Sequence, residues 1–254
     1  MSISRQKLLT TLNQWLEPDT FQDYAPNGLQ VEGTDEINKI ITGVTASQAL
    51  LDAAVRNNAD AIVVHHGYFW KGETPCVVGM KHRRLKTLLE HNINLLAYHL
   101  PLDAHPQMGN NVGLAQALGL QGILALQNIA PVGIVYQGET EVPLSLEQFA
   151  ERLSQAVERQ LVAVVSGGNH QVRKVAICTG GGQGFIEQAA DAGMDLFISG
   201  EISEQTVHVA RERGIHYIAA GHHATERFGA RSLGQKLATD LGIDVEFIDI
   251  DSPA

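Results

Sequence analysis

The stretch Ala61–Gly72, AIVVHHGYFWKG, decides the reading of this chain. Ala61 to Val64 form a short apolar run of the kind that builds a buried strand, and Gly67 ends it. His65 and His66 stand between the two. Neighbouring residues inside a strand point to opposite faces. Two histidines serving one site therefore fit best where the strand stops and the backbone turns. In open α/β sheets, ligands sit beyond the carboxyl ends of the strands. A His-His pair at that place is a candidate metal site, and the rest of the chain is read for what converges on it.

Working outward, strands alternate with helices. Ile37–Val44 reads as a strand, Ser47–Asn57 as a helix, Lys81–His91 as a second helix and Asn94–Tyr98 as a strand. That strand runs into HLPLDAH, residues 99–105, and Asn111–Leu118 reads as a third helix. This alternation implies a mostly parallel sheet covered on both faces. The N-terminal segment has an amphipathic pattern, with Leu8, Leu9, Leu12 and Trp15 on one side, and Pro26, Asn27 and Gly28 mark a turn. Further on, Val132–Tyr136 and Val162–Val165 read as strands, and Ser145–Gln160 as a helix capped by Ser145.

From Lys174 the first half returns in diverged form. KVAICTGGGQGFIEQAADAGMDLFISGE parallels KIITGVTASQALLDAAVRNNADAIVVHHG, each being strand, turn, alanine-bearing helix, polar turn ending in Asp, and buried strand. GHHATE then takes the place of HLPLD, and ARSLGQKLATDLGI echoes NNVGLAQALGL. The expected fold is α/β, two similar α/β domains produced by duplication. They cover residues 1–125 and 126–254, with mostly parallel sheets and the metal site in the cleft between them.

Four expected strand ends then carry the chemistry: His65–His66, His99 to Asp103, Gly200–Glu201, and His222 to Glu226. His222 and Glu226 are spaced i, i+4 and share one face of a helix start. Imidazole with carboxylate suits Zn, Fe, Mn or Ni. Two carboxylates with three or more imidazoles exceed the needs of one ion, so a two-metal centre with a bridging carboxylate is expected. His82, His91, His208 and His216 have no partner pattern and read as structural or solvent-facing. His105 and His223 lie beside the motifs. The turn Gly180–Gly184, GGGQG, lacks the Lys-Ser/Thr of a phosphate loop and reads as a tight turn. Tyr68, Phe69 and Trp70 can wall a pocket or form a satellite core.

Composition sets the outer bounds. The chain has 254 residues, a formal net charge of −10 and 44% hydrophobic residues, which is ordinary globular territory. The acidic balance argues against a nucleic-acid partner. No apolar run is long enough to span a bilayer, and the N-terminus lacks a signal-peptide pattern. Cys76 and Cys178 are far apart and form no CxxC. The expected location is cytoplasmic, with no membrane association.

ADAIVVHHGYFWKG, YHLPLDAHPQMGNN, DLFISGE and GHHATE together resemble the NIF-three-like dinuclear metal proteins, whose bacterial members are called GTP cyclohydrolase 1 type 2 homologues. The resemblance runs from PNGLQVEG to the last helix. It implies two α/β domains and a toroidal homohexamer, a trimer of dimers. It also implies two divalent ions per chain, with His65, His66, Asp103, His222 and Glu226 as ligands. His99 matches a position near the metals, and Glu201 is a further near-site candidate. The implied function is a dinuclear metal-dependent hydrolase acting on GTP or a related nucleotide or heterocycle. The alternative is a non-enzymatic metal-binding ring or partner-binding scaffold. Neither the catalytic base nor the small-molecule substrate is assigned by these motifs.

Overall fold

A computed structural model describes residues 2–254. In chain order the elements begin with β1 (Ile3–Ser4), α1 (Arg5–Leu16), β2 (Gly28–Val31), β3 (Glu36–Ile37), β4 (Lys39–Thr45), α2 (Gln48–Arg56), β5 (Ala61–His66), α3 (Gly79–Glu90), β6 (Asn94–Ala97) and α4 (Leu100–Ala104). They continue with α5 (Asn110–Ala117), β7 (Gln121–Ala125), β8 (Tyr136–Leu144), α6 (Leu146–Ala156), β9 (Ala163–Val165), β10 (Val172–Cys178), α7 (Ile186–Asp191), β11 (Leu196–Ser199), α8 (Glu204–Arg213), β12 (His216–Ala219), α9 (His222–Thr225), α10 (Arg227–Leu241) and β13 (Asp244–Phe247). The α/β class with mostly parallel strands is the class expected.

Two compact units result. One runs through Leu102 and takes up Gly229–Asp251; the other is Asp103–Phe228 with Ser252–Ala254. The boundary expected at 125/126 falls inside the second unit. The reason lies in the third helix of each half. Although α5 follows the first sheet in sequence, Leu114, Ala115 and Leu118 join a core built on β10, β11 and β12. In the same way α10 follows the second sheet but belongs to the first unit, where Gly234 sits against Thr42 and Val245.

The first unit's main sheet has the order β13-β4-β5-β6-β2, with β4, β5, β6 and β13 parallel and β2 antiparallel at the edge. The second has β7-β8-β10-β11-β12-β9, with β10, β11 and β12 parallel and β9 antiparallel at the edge. The runs β4-β5-β6-β2 and β10-β11-β12-β9 thus share one order and one set of directions. β8 is the addition: it lies antiparallel to β10 and separates it from β7.

The polar turns noticed in both halves have one job. Asp60 Oδ2 accepts from the backbone N–H groups of Asn38 and Lys39, at 2.7 and 3.1 Å. Asp195 Oδ2 accepts from those of Arg173 and Lys174, at 2.9 and 2.7 Å. Each aspartate therefore pins the start of its neighbouring strand and fixes the register that brings the strand ends level.

The central strands are apolar on both faces, as parallel strands under helices must be. Ile41, Ile62, Val64 and Leu95 pack with Leu50, Leu51 and Leu88 of the covering helices in one core, and Val175, Ile177, Leu196 and Ile198 with Phe149 and Leu153 in the other. The strand expected over Val132–Tyr136 is instead a loop that leads into β8 at Tyr136. Pro131 removes a ladder donor there and Gly133 takes a φ of +88°, so the segment turns before it pairs.

Candidate metal centre

In the first unit the site is built at the ends of β5 and β6. β5 does not stop before the histidines, as the apolar run implied, but continues through His66. Its pairing with β6 ends at Val64, and its pairing with β4 passes from Gly43–Val64 to Thr45–His66. Freed on one edge, the strand end lets both imidazoles gather, with ring centroids 4.5 Å apart. His99, just past β6, completes a trio at 5.0 Å from His65 and 5.5 Å from His66. One ring nitrogen from each of the three lies within 4.8 Å of the others.

Each ring is held through Nδ1. His65 Nδ1 donates to the Tyr98 carbonyl at 3.1 Å, His66 Nδ1 meets Thr45 Oγ1 at 3.2 Å, and His99 Nδ1 donates to Asp23 Oδ1 at 2.7 Å. These bonds fix how each ring faces its neighbours. Such outer hydrogen bonds fix the tautomer and aim of metal-binding imidazoles. Of the aromatic residues after the pair, Trp70 stands edge-on to His99 with centroids 5.0 Å apart and lies 5.8 Å from His66. Tyr68 is buried, its hydroxyl donating to the Ala46 carbonyl.

In the second unit the donors are Asp103, on α4, and His222 and Glu226, at the two ends of α9. Asp103 is buried and accepts from Asn110 Nδ2 at 2.8 Å and Thr179 Oγ1 at 3.4 Å. Asn111, fully buried, donates to the carbonyls of Asp103, Gly133 and Ile134 and accepts from the Thr179 backbone N–H. This pair of asparagines at the start of α5 ties Asp103 to the end of β10. The sequence reading passed over them; adjacent asparagines opening a helix just after a candidate ligand were the available signal.

His222 and Glu226 do share one face, with Nε2 3.2 Å from Glu226 Oε1. The other nitrogen, His222 Nδ1, lies 2.7 Å from Glu201 Oε1. Burial pulls the His222 imidazole down, but hydrogen bonds and charge from Glu226 and Glu201 outweigh it and hold it at about 9. Glu201 is therefore an orienting carboxylate for His222. The turn Gly180–Gly182 makes the room: Gly180 has a φ of +63°, and a Cβ there would run into Glu226 Oε1 and come within 3.1 Å of His222 Nε2. Beside it, Cys178 is a buried thiol pushed well up by burial and by the charges of Asp103 and Glu226. It is held in the neutral form, a packing residue.

The remaining histidines divide cleanly. His82, His91 and His208 are exposed on or beside helices. His216 is buried, stacks on His170 at 4.0 Å and bonds the Gly167 N–H and the His170 carbonyl, a structural clamp. His105 Nδ1 accepts from the backbone of Gln107 and Met108 and shapes the turn before α5. His223 takes its place through its backbone N–H, which donates to the Ala254 carbonyl.

The model of the DUF34/NIF3 family (NGG1p interacting factor 3) matches residues 3–253. A Haemophilus influenzae protein named GTP cyclohydrolase 1 type 2 homolog is 55% identical over 243 residues, 96% of each chain. A Pseudomonas aeruginosa protein of the same name is 53% identical over 254 residues, the full length of both. Among solved structures, protein ybgI, described as of unknown function, superposes with a TM-score of 0.93 at 51% identity, covering 99% of this chain and 100% of its own. No described helix is long and apolar enough to cross a membrane.

Proposed function

Because the chain belongs to the DUF34/NIF3 family, we propose that it is a dinuclear metal-dependent hydrolase acting on GTP or a related nucleotide or heterocycle. His65 and His66 of the first unit and Asp103, His222 and Glu226 of the second are its ligands, for two divalent ions among Fe, Zn, Mn and Ni. The observation that carries this reading is the preparation of the donors within each unit. Imidazoles are tied at Nδ1 in one, and two buried carboxylates and an oriented imidazole stand beside a glycine turn in the other. The donor chemistry fits: nitrogen and oxygen ligands suit borderline transition cations.

Bound there, two ions supply a water acidified to a pKa of about 7 and polarisation of the bond under attack. The chain's own part is to hold the donors in place. Asp103 keeps its position through Asn110 and Thr179, and Glu201 holds the His222 ring in one orientation. The names of the relatives favour GTP as the substrate to try first. Hydrolysis at C8 of guanine would release formate.

The test is incubation of metal-loaded protein with GTP and with a panel of nucleotides and phosphoesters, reading formate, ring-opened product and phosphate. Turnover that disappears in Glu226→Ala supports the hydrolase. Metal uptake with no turnover on the whole panel favours the metal-binding scaffold. The toroidal homohexamer belongs to the same reading, and sedimentation of the wild-type chain tests it.

A further inference from the structure

We propose that His216 is a pH-sensitive clamp in the second unit. As a neutral ring it locks the loop of residues 166–171, and with it the edge strand β9, against β12; on taking up a proton it releases them. The device uses none of the proposed metal ligands.

His216 opens β12 and is 1% exposed. Both of its ring nitrogens are used, and each use fixes a proton. Gly167 donates its backbone N–H to Nδ1 at 3.1 Å, so Nδ1 carries no hydrogen. Nε2 lies 3.0 Å from the His170 carbonyl, which only accepts, so Nε2 carries the one hydrogen of the neutral ring. The ring thus ties two points of the loop together. The His170 side chain closes over it, stacked at 4.0 Å between centroids with the planes 21° apart, and His170 Nε2 donates to the Asp195 carbonyl at 3.1 Å. The same carbonyl accepts from the His216 backbone N–H at 2.9 Å. The loop has little slack around these bonds, since a Cβ on Gly167 would run into the Ile215 carbonyl.

A second proton on His216 has one place to go, Nδ1, and there it meets the Gly167 N–H. Donor then faces donor inside the unit, and the loop has to move away before water can reach the charge. The titratable groups facing the ring are His170 from the loop, Asp195 from the turn before β11 and Glu147 from α6. Burial is the largest influence and pushes the imidazole below its ordinary 6.5; the charge of His170 acts in the same direction, and the His170 carbonyl, Asp195 and Glu147 act against it. A folded value below the unfolded one means that the clamp's stabilisation is fully present above about pH 6.5 and is lost as pH falls through the window beneath it. What it releases is a short edge. Strand β9 pairs with β12 only from Ala163 to Val165, at the end of the sheet. Its departure bares a row of unpaired backbone groups on β12 that another strand can take up.

Amide hydrogen exchange of the whole chain, read by mass spectrometry as protection relative to intrinsic rates, tests this at about pH 8 and about pH 5.5. In the wild type the protection of residues 162–171 falls about tenfold between the two, a decade for each unit below the ordinary histidine value, while that of β10 is kept. His216→Asn retains an acceptor for the Gly167 N–H and does not titrate in this range, so it holds its protection at both values. The exposed control His82→Ala follows the wild type. Equal wild-type protection at the two pH values overturns the proposal. So does a fall that β10 shares in full, which is global unfolding, or a loss in His216→Asn as large as in wild type. If His216→Asn fails to fold, the nitrogen-15 titration of the wild-type His216 ring decides. A ring that takes up its proton as protection is lost supports the clamp, and a ring still neutral after protection is lost overturns it.

Discussion

At the strand ends of the first unit three rings gather, and the groups that hold them are a carbonyl, a hydroxyl and one carboxylate. In the second unit the donors are two buried carboxylates and a single ring held between acids. The central runs of the two sheets share one strand order, so the difference comes from the residues each unit carries rather than from the frame. Imidazoles tolerate close packing, and the first unit can crowd them. Buried carboxylates need donors and space, and the second unit supplies both, with Asn110, Thr179 and the Gly180 turn.

That contrast can be broken most sharply by removing the charge. Asp103→Ala and Glu226→Ala each lose at least one ion, with affinity down by at least about a hundredfold, since even outer-shell changes cost 10–100-fold. The fold survives, because a core of this size does not depend on metal as a zinc finger does. Metal titration with circular dichroism checks this, and full occupancy in both variants would remove the assignment. A change of space should act through the same residues. Gly180→Ala forces a side chain into a left-handed backbone and into Glu226, so it weakens metal binding while every ligand remains. Unaltered affinity in Gly180→Ala would mean that Glu226 is not held where the second unit places it.

The exchanged helices provide a smaller test. A Cβ on Gly113 of α5 would meet Phe228 Cβ at 2.7 Å, an atom close to the backbone that cannot step aside. On Gly234 of α10 it would meet Thr42 Oγ1 at 2.8 Å, a buried hydroxyl without a hydrogen-bond partner. Overpacking costs about 1–3 kcal/mol, and replacing glycine by alanine in a helix returns up to about 1 kcal/mol. Gly113→Ala should therefore destabilise the chain by about 1–2 kcal/mol, and Gly234→Ala by less than about 0.5 kcal/mol, because Thr42 can rotate away. Denaturant titration orders the two; a reversed order would show that the second unit is the more yielding.

The smallest effect concerns acid. Burial pushes the Asp23 carboxyl up, but the hydrogen bond and charge of His99 outweigh it and hold it at about 2, below its ordinary 3.8. Its contribution is fully present above pH 4 and is lost as pH falls toward 2. Wild type should lose stability over that window more steeply than Asp23→Asn, as followed by denaturant midpoints at each pH. Equal slopes would mean that Asp23 is not held by His99 in solution.

Much of this was legible in the residues. Apolar runs and alanine-bearing helices gave the element order, and the aspartates that end the two polar turns, Asp60 and Asp195, marked corresponding places beside two sheets whose central strand orders match. The i, i+4 spacing placed His222 and Glu226 together. What was not legible depends on distance along the chain. Asp23 looks like a turn residue because its partners, His99 and Leu100, lie 76 and 77 residues further along the chain. The traded helices were hidden for the same reason: periodicity shows that α5 and α10 each have an apolar side, and not which sheet that side will cover. Glu201 reads in the sequence only as a residue near the site, and its bond to His222 gives it an orienting part.

The placement of α10 and β13 also sets an order of events in biosynthesis. Strand β4 finds its outer partner only when Lys39 meets Asp244, and Thr42 its helix only when Gly234 arrives. A chain emerging from the ribosome completes nearly all of the second unit by Phe228, while the first, made earlier, still has an open sheet edge. The part synthesised first is the part finished last. For that interval the nascent chain carries an unpaired strand in need of shielding, and a stop codon after Phe228 would leave it so permanently.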